Sequence, residues 1–156
     1  MFRQMRRHNQ QLEHEACERI LEHAPRGVLA VLGDDGYPYT VPMDFVYDQG
    51  RIYFHSAVEG HKLDAIQACD KCSFCVLDEG VREEDDWWYH FNSVIVFGRI
   101  RRMTDKGDMV AALRKIGAKY FPSDYDTEGD IARSFAHVAV LELTIEHMTG
   151  KHVREK

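Results

Sequence analysis

Between Gly27 and Ala57 the chain alternates short runs of β-forming residues with turn signals, leaving no room for a helix between them. Gly27-Val28-Leu29-Ala30-Val31-Leu32 is the first run, Tyr37 to Tyr47 the second and Arg51 to Ala57 the third. Gly33-Asp34-Asp35-Gly36 and Asp48-Gln49-Gly50 separate them, and the first carries the Asp-Gly pair that a tight hairpin favours. Strands joined this closely predict an antiparallel three-strand meander, not alternating βαβ units. Pro38 and Pro42 add a condition. Proline has no N–H to give a ladder, so the second strand is expected at an edge or a bulge.

The flanking segments read as follows. From Asn9 to Ala24 the apolar residues Leu12, Ala16, Ile20 and Leu21 fall on one helical stripe, with Asn9 as cap and Pro25 and Gly27 as the stop. Burying Leu12, Ile20 and Leu21 stabilises a docked helix by roughly 1.5–3 kcal/mol each before entropy, so this helix covers something apolar. Gly60 to Ala68 predicts a short helix. Lys71 to Asp78 predicts a strand with Phe74 and Val76 on one face and Cys75 and Leu77 on the other. After the acidic loop Glu79 to Asp86 and Trp87-Trp88-Tyr89 comes a long strand, Ser93 to Met103, whose Gly98 predicts a bend or bulge. Thr104 is placed as cap of a helix burying Met109, Val110, Leu113 and Ile116. A polar loop, a short helical piece at Ile131–Phe135, a last strand at His137–Ile145 and a tail from Glu146 complete the chain. The fold expected is mainly β: one domain over 1–156, a six-stranded antiparallel closed or split barrel with two to four peripheral helices. The unbroken apolar runs Val28–Leu32 and Val94–Phe97 predict burial on both faces, which in a chain this small calls for a second subunit.

Composition narrows the function classes. A net charge of −6 argues against a general nucleic-acid surface. No run approaches the roughly 20 apolar residues of a membrane span, and the charged N-terminus does not read as a secretory signal. A cytoplasmic protein without membrane or nucleic-acid partners is expected, its four cysteines reduced. Cys69-Asp70-Lys71-Cys72-Ser73-Phe74-Cys75 invites a zinc or iron–sulfur reading. However, a helix end and a strand start divide these residues, and Cys72 and Cys75 face opposite sides of a strand. No metal site is expected. GxxxxGK[ST], HExxH, GxSxG and GxGxxG are all absent.

The remaining candidate lies where the third strand hands over to a helix, Tyr53-Phe54-His55-Ser56-Ala57-Val58-Glu59-Gly60-His61-Lys62-Leu63-Asp64-Ala65-Ile66. A glycine-containing turn entering a helix leaves free N–H groups, and with His61, Lys62 and Ser56 these suit a phosphate. From these residues alone a polar helix start with two surface cations is the plainer reading. Tyr37, Tyr39, Tyr53, Phe54, Trp87 and Trp88, with Pro42 and Met43, could line a slot for a flat ring or serve as core and subunit contacts.

Asp34 to Met43, Tyr53 to Ala57, Gly60 to Ile66 and Glu146 to Lys151, with the start Met1-Phe2-Arg3-Gln4-Met5-Arg6-Arg7, resemble the FMN-binding split-barrel proteins. Within them the chain is most similar to the pyridoxamine 5′-phosphate oxidase-related branch that contains the nitroimidazole-resistance reductases. The resemblance implies a homodimer with two FMN sites at its interface. It implies that Gly60, His61 and Lys62, assisted by Ser56, bind the phosphate, and that Thr40, Val41, Pro42 and Met43 with His55, Ser56 and Ala57 run along ring and ribityl chain. Ser93, Val94 and Lys151 would approach from the partner subunit. The family's vitamin B6 oxidases usually carry an Arg-Lys pair where this chain has His61-Lys62, and an arginine- and proline-containing C-terminal segment that Glu146 to Lys156 lacks. The implied activity is therefore reduction of a small nitro-aromatic or quinone-like acceptor by a nicotinamide donor, with His55 orienting or protonating the acceptor. A haem- or tetrapyrrole-binding relative and a non-catalytic flavin module are the alternatives.

Overall fold

The computed structural model describes residues 1–154. In chain order it contains β1 (Gln11–Leu12), α1 (His14–His23), β2 (Gly27–Leu32), β3 (Pro38–Met43), β4 (Val46–Asp48), β5 (Arg51–Ala57), α2 (His61–Ala68), β6 (Lys71–Leu77), β7 (His90–Arg102), α3 (Lys106–Tyr120), α4 (Thr127–Ser134) and β8 (Val138–Arg154). All strands belong to one antiparallel sheet of order β3-β2-β6-β7-β8-β5-β4, with β1 added to β8. β3 is an edge strand, as its prolines require.

The expected meander is replaced by two hairpins, β2–β3 and β4–β5, at opposite ends of that order. Only Asp44 and Phe45 join them. Three Cα steps cover at most about 11 Å, whereas seven flat strands would spread roughly 29 Å. The sheet must therefore curl until its ends nearly meet, which makes it a split barrel. The strand count is eight where six were expected, the additions being the two-residue β1 and three-residue β4.

Inside the barrel Phe74 meets Phe45 and Phe54 edge-on at 4.9 and 5.1 Å, among Leu29, Val94 and Leu141, all fully buried. α1 closes one end with Cys17 and Leu21, and α2 closes the other with Leu63, Ala65 and Ile66. α3 lies outside, its Ala112 packing on Tyr53, Met103 and Val140.

Several boundaries differ from expectation. Asn9 sits in a separate 3-10 turn and α1 starts at His14. Asp105, not Thr104, caps α3 by accepting from the Asp108 N–H at 2.9 Å. α4 starts at Thr127 behind an Asp126 cap. The supposed tail from Glu146 is the second half of β8, paired with the first half of β7 and with β1. Nor does the chain bury both faces of its apolar runs: Val28, Leu32, Ile95 and Phe97 remain exposed on the outer face. No described helix is long and apolar enough to cross a membrane.

Candidate functional site

β5 ends at Ala57 and the chain reverses through Val58-Glu59-Gly60. Gly60 adopts φ 133° and ψ 164°, a conformation that a side chain would strain. Its carbonyl takes the first helical bonds from Leu63 (2.8 Å) and Asp64 (3.2 Å). The N–H groups of His61 and Lys62 are thereby left without a partner among the described residues, at the positive end of α2. Arg102, on the last residue of β7, donates to the Val58 carbonyl at 3.2 Å and pins the turn. Sequence reading missed this third cation, because only the barrel brings residue 102 back to residue 58.

β3 supplies the facing wall. The His61 ring stacks on Tyr39 at 4.4 Å, and its Nε2 lies 3.5 Å from an Asp34 carboxylate oxygen. The Lys62 ammonium lies 3.7 Å from the Met43 sulfur, and burial lowers its pKa. No carboxylate opposes that shift or pairs with Lys62 among the described residues. A half-buried ammonium beside two free N–H groups is an unsatisfied demand for an anion. The Asp34 carboxylate works against an anion at His61, but its side chain is 90% exposed and can swing away.

The other candidates divide by face. On β3, Val41 and Met43 turn toward the core while Thr40 and Pro42 are exposed. On β5, Ser56 is buried and its neighbours His55 and Ala57 are exposed, so His55 and Ser56 cannot line one wall. The His55 ring makes no hydrogen bond among the described residues. The Val94 side chain is wholly buried in the core. Ser93 pairs with Lys151 and with Leu77. It lies nine residues along β7 from Arg102, roughly 30 Å, so one chain does not bring it to the α2 corner. The aromatic residues form no common slot: Phe54 is core, Tyr53 lies beneath α3, and Trp87 is exposed.

Thr40 and Pro42 instead border the exposed outer face. Register places Thr40, Ala30, Ser73, Phe97 and His147 in one row, and Pro42, Val28, Cys75, Ile95 and Thr149 in the next. Phe2 lies over this face, stacked on His147 at 4.6 Å. Near its Ser93–Lys151 end a cavity of about 850 Å³ opens beneath the acidic loop, lined by Asp78, Glu83, Asp86, His90, Asn92 and His152. Asn92 organises it, donating from its backbone and side-chain amides to the two Asp78 oxygens at 2.8 and 2.6 Å. The Asn92 side-chain oxygen Oδ1 lies 2.8 Å from His152 Nδ1, and Arg154 Nε donates to His152 Nε2 at 3.1 Å, which puts the His152 proton on Nδ1. No sequence signal announced this network, since residues 78, 92 and 152 meet only through strand register. The four cysteines are free thiols, and no group of three His, Cys, Asp or Glu side chains is placed to hold a metal among the described residues.

Comparison with known proteins agrees with this architecture. A proposed 5-nitroimidazole antibiotic resistance protein of Bacteroides thetaiotaomicron superposes with a TM-score of 0.77 at 22% identity, over 91% of this chain and 86% of that one. An FAD-binding protein of Mesorhizobium loti gives 0.69 at 24% identity, over 92% and 97%. A flavocytochrome of Azotobacter vinelandii gives 0.78 at 20% identity, over 97% and 73%. At these identities the likenesses establish the fold, which is the split barrel. No curated protein matches the sequence. The model of the pyridoxamine 5′-phosphate oxidase family matches residues 13–152, nearly the whole chain, and the protein belongs to that family.

Proposed function

We propose that the protein binds FMN as a homodimer and passes electrons from a reduced nicotinamide to a small nitro-aromatic or quinone-like acceptor. The observation that carries this reading is Lys62, a half-buried ammonium with no carboxylate partner among the described residues, set beside the two free N–H groups of α2. A phosphate dianion satisfies all three, and each charge-assisted hydrogen bond contributes about 1.5–3 kcal/mol. Flavin-binding relatives on the same fold support it.

In this reading His61, Lys62 and the α2 N-terminus hold the phosphate, and Arg102 keeps the turn in place. Thr40, Pro42 and Ala57 offer exposed side chains beside the flavin. The apolar outer face of the barrel meets the same face of a second copy, whose Ser93 and Lys151 complete the site. Bound flavin supplies reversible two-electron chemistry; the chain supplies orientation and exclusion of water.

The test is His61→Ala combined with Lys62→Ala. Both side chains are partly exposed, so the fold should survive, with an unchanged circular dichroism spectrum. FMN affinity should fall about a hundredfold or more, from the loss of two charge-assisted bonds. Wild-type affinity in the double variant would refute the phosphate assignment. A Soret band in place of flavin bands in the purified protein would replace FMN with haem.

A further inference from the structure

We propose that a second cavity, between α1 and the corner where β6 meets β7, binds a planar aromatic molecule carrying a two-oxygen substituent, a carboxylate or a nitro group. Its volume is about 520 Å³, and its floor is apolar: Leu12, Ala16 and Ile20 on one side, Leu77 on the other. That size and lining suit a small flat ligand. α1 turns Cys17 and Leu21 into the barrel, which leaves Ala16 and Ile20 at its flank, half-exposed over this space.

Two oppositely charged rims give the cavity a direction. Arg19, His23 and Arg26 stand at the α1 side, and Asp78 and Glu79 at the β6 side. Arg26 is engaged by Asp44 at 2.7 Å, and Asp78 by Asn92. The Arg19 guanidinium has no hydrogen bond or ion pair among the described residues. A guanidinium presents a planar fork of donors that matches a planar pair of oxygens. Glu79 on the opposite rim repels such oxygens and favours their placement at Arg19. A ligand seated this way keeps its ring against Ile20 and Leu77.

Leu77 pairs directly with Ser93, so this cavity opens beside the residues that face the flavin of a second copy. Its role as the acceptor site rests on the flavin reading; ligand binding itself does not, and the two are read separately.

The probe for binding is 2-naphthoate, followed by titration calorimetry and ligand-observed NMR on the flavin-free protein, with 2-naphthylmethylammonium as the cationic control. Saturable binding of naphthoate and none of the cation is expected. Arg19→Gln, at an exposed position, should weaken naphthoate at least tenfold, and Ala16→Trp should fill the cavity and abolish binding. Equal binding of the cation, or unchanged affinity in both variants, would overturn the proposal. On FMN-loaded, dithionite-reduced protein, 4-nitrobenzoate should reoxidise the flavin at least tenfold more slowly in Ala16→Trp, with flavin content unchanged. Unchanged reoxidation with naphthoate binding intact would overturn the acceptor role, whereas failure to bind FMN at all would overturn the flavin reading and leave the binding result standing.

Discussion

Burial acts in opposite directions on two side chains of this barrel. It lowers the pKa of the Lys62 ammonium, and it pushes the Cys72 thiol, next to Asp70 in charge terms, up to about 12. For Lys62 the consequence is affinity, because an arriving dianion offsets the desolvation of the ammonium. For Cys72 the consequence is stability. The thiol is 8% exposed and its sulfur contacts the Gly98 carbonyl at 3.6 Å. It keeps its proton in the folded chain, whereas the unfolded thiol ionises near its ordinary value of 9.0. Above that pH the unfolded thiol holds less proton than the folded one, so the contribution of Cys72 to stability falls as pH rises from 9 toward 12. At about 1.4 kcal/mol per unit, discounted for the residual exposure, the loss by pH 11 should be roughly 2 kcal/mol. Burial raises the Cys17 and Cys75 thiols too, and it lowers Lys119 to about 8, which acts in the opposite sense, so the measure is the difference between two proteins. In urea unfolding the wild type should lose roughly 2 kcal/mol relative to Cys72→Ala between pH 8 and pH 11. Parallel declines in both proteins would mean that another group governs the alkaline limit.

At the scale of elements, Gly98 is the bulge expected from a lone glycine in a long apolar strand. The β7–β8 register shifts between Phe97 and Gly98, and a Cβ there would stand 2.2 Å from the Thr144 carbonyl oxygen. Gly98→Ala should therefore destabilise the barrel by about 1–3 kcal/mol, the usual cost of forced overpacking, measured as a lower urea midpoint at unchanged slope. An unchanged midpoint would show that β8 yields freely at Thr144. Features of this kind were legible in the sequence because they are local: the Asp34–Gly36 turn, the edge position imposed by Pro38 and Pro42, the strands Gly27–Leu32 and Arg51–Ala57, and the helix after Gly60. What escaped was non-local. Glu146 to Lys151 is polar enough to pass for a tail, yet β7 pairs along it and β1 adds to Gly150 and Lys151 on the other side, so it needs no apolar periodicity. Asn9 looked like a helix cap, but β1 intervenes and the helix starts at His14 behind Glu13 without any side-chain cap. The candidate site divides the same way. His61 and Lys62 stood out as a cationic pair at a helix start, while Tyr39, Met43 and Arg102 reach that corner only through the closed sheet.

For the whole molecule the decisive surface is the outside of the barrel, not its core. Closure of the sheet buries one face of β2, β6 and β7 and leaves Val28, Leu32, Leu77, Ile95 and Phe97 between 37 and 50% exposed on the other, with Phe2 lying over Phe97. Apolar exposure across adjacent strands makes this the face on which the proposed dimer would form. Thr40 and Pro42 lie at its margin, and both strand rows that contain them cross it. A second copy seated here by a two-fold axis places each chain's β3 edge against its neighbour, which links dimerisation to the proposed cofactor site. Ile95→Glu together with Phe97→Glu puts two carboxylates at the centre of that face without touching the barrel interior. If the proposed dimer forms through this face, the double variant should fold, run as a monomer in light scattering while the wild type runs as a dimer, and lose FMN affinity at least tenfold although His61 and Lys62 are untouched. A monomeric variant that keeps FMN at wild-type affinity would place the whole flavin site within one chain. A variant that remains dimeric would move the interface to another surface. Either result would also detach Ser93 and Lys151 from the chemistry, since within a single chain β7 holds them at the far end of the barrel from the α2 corner.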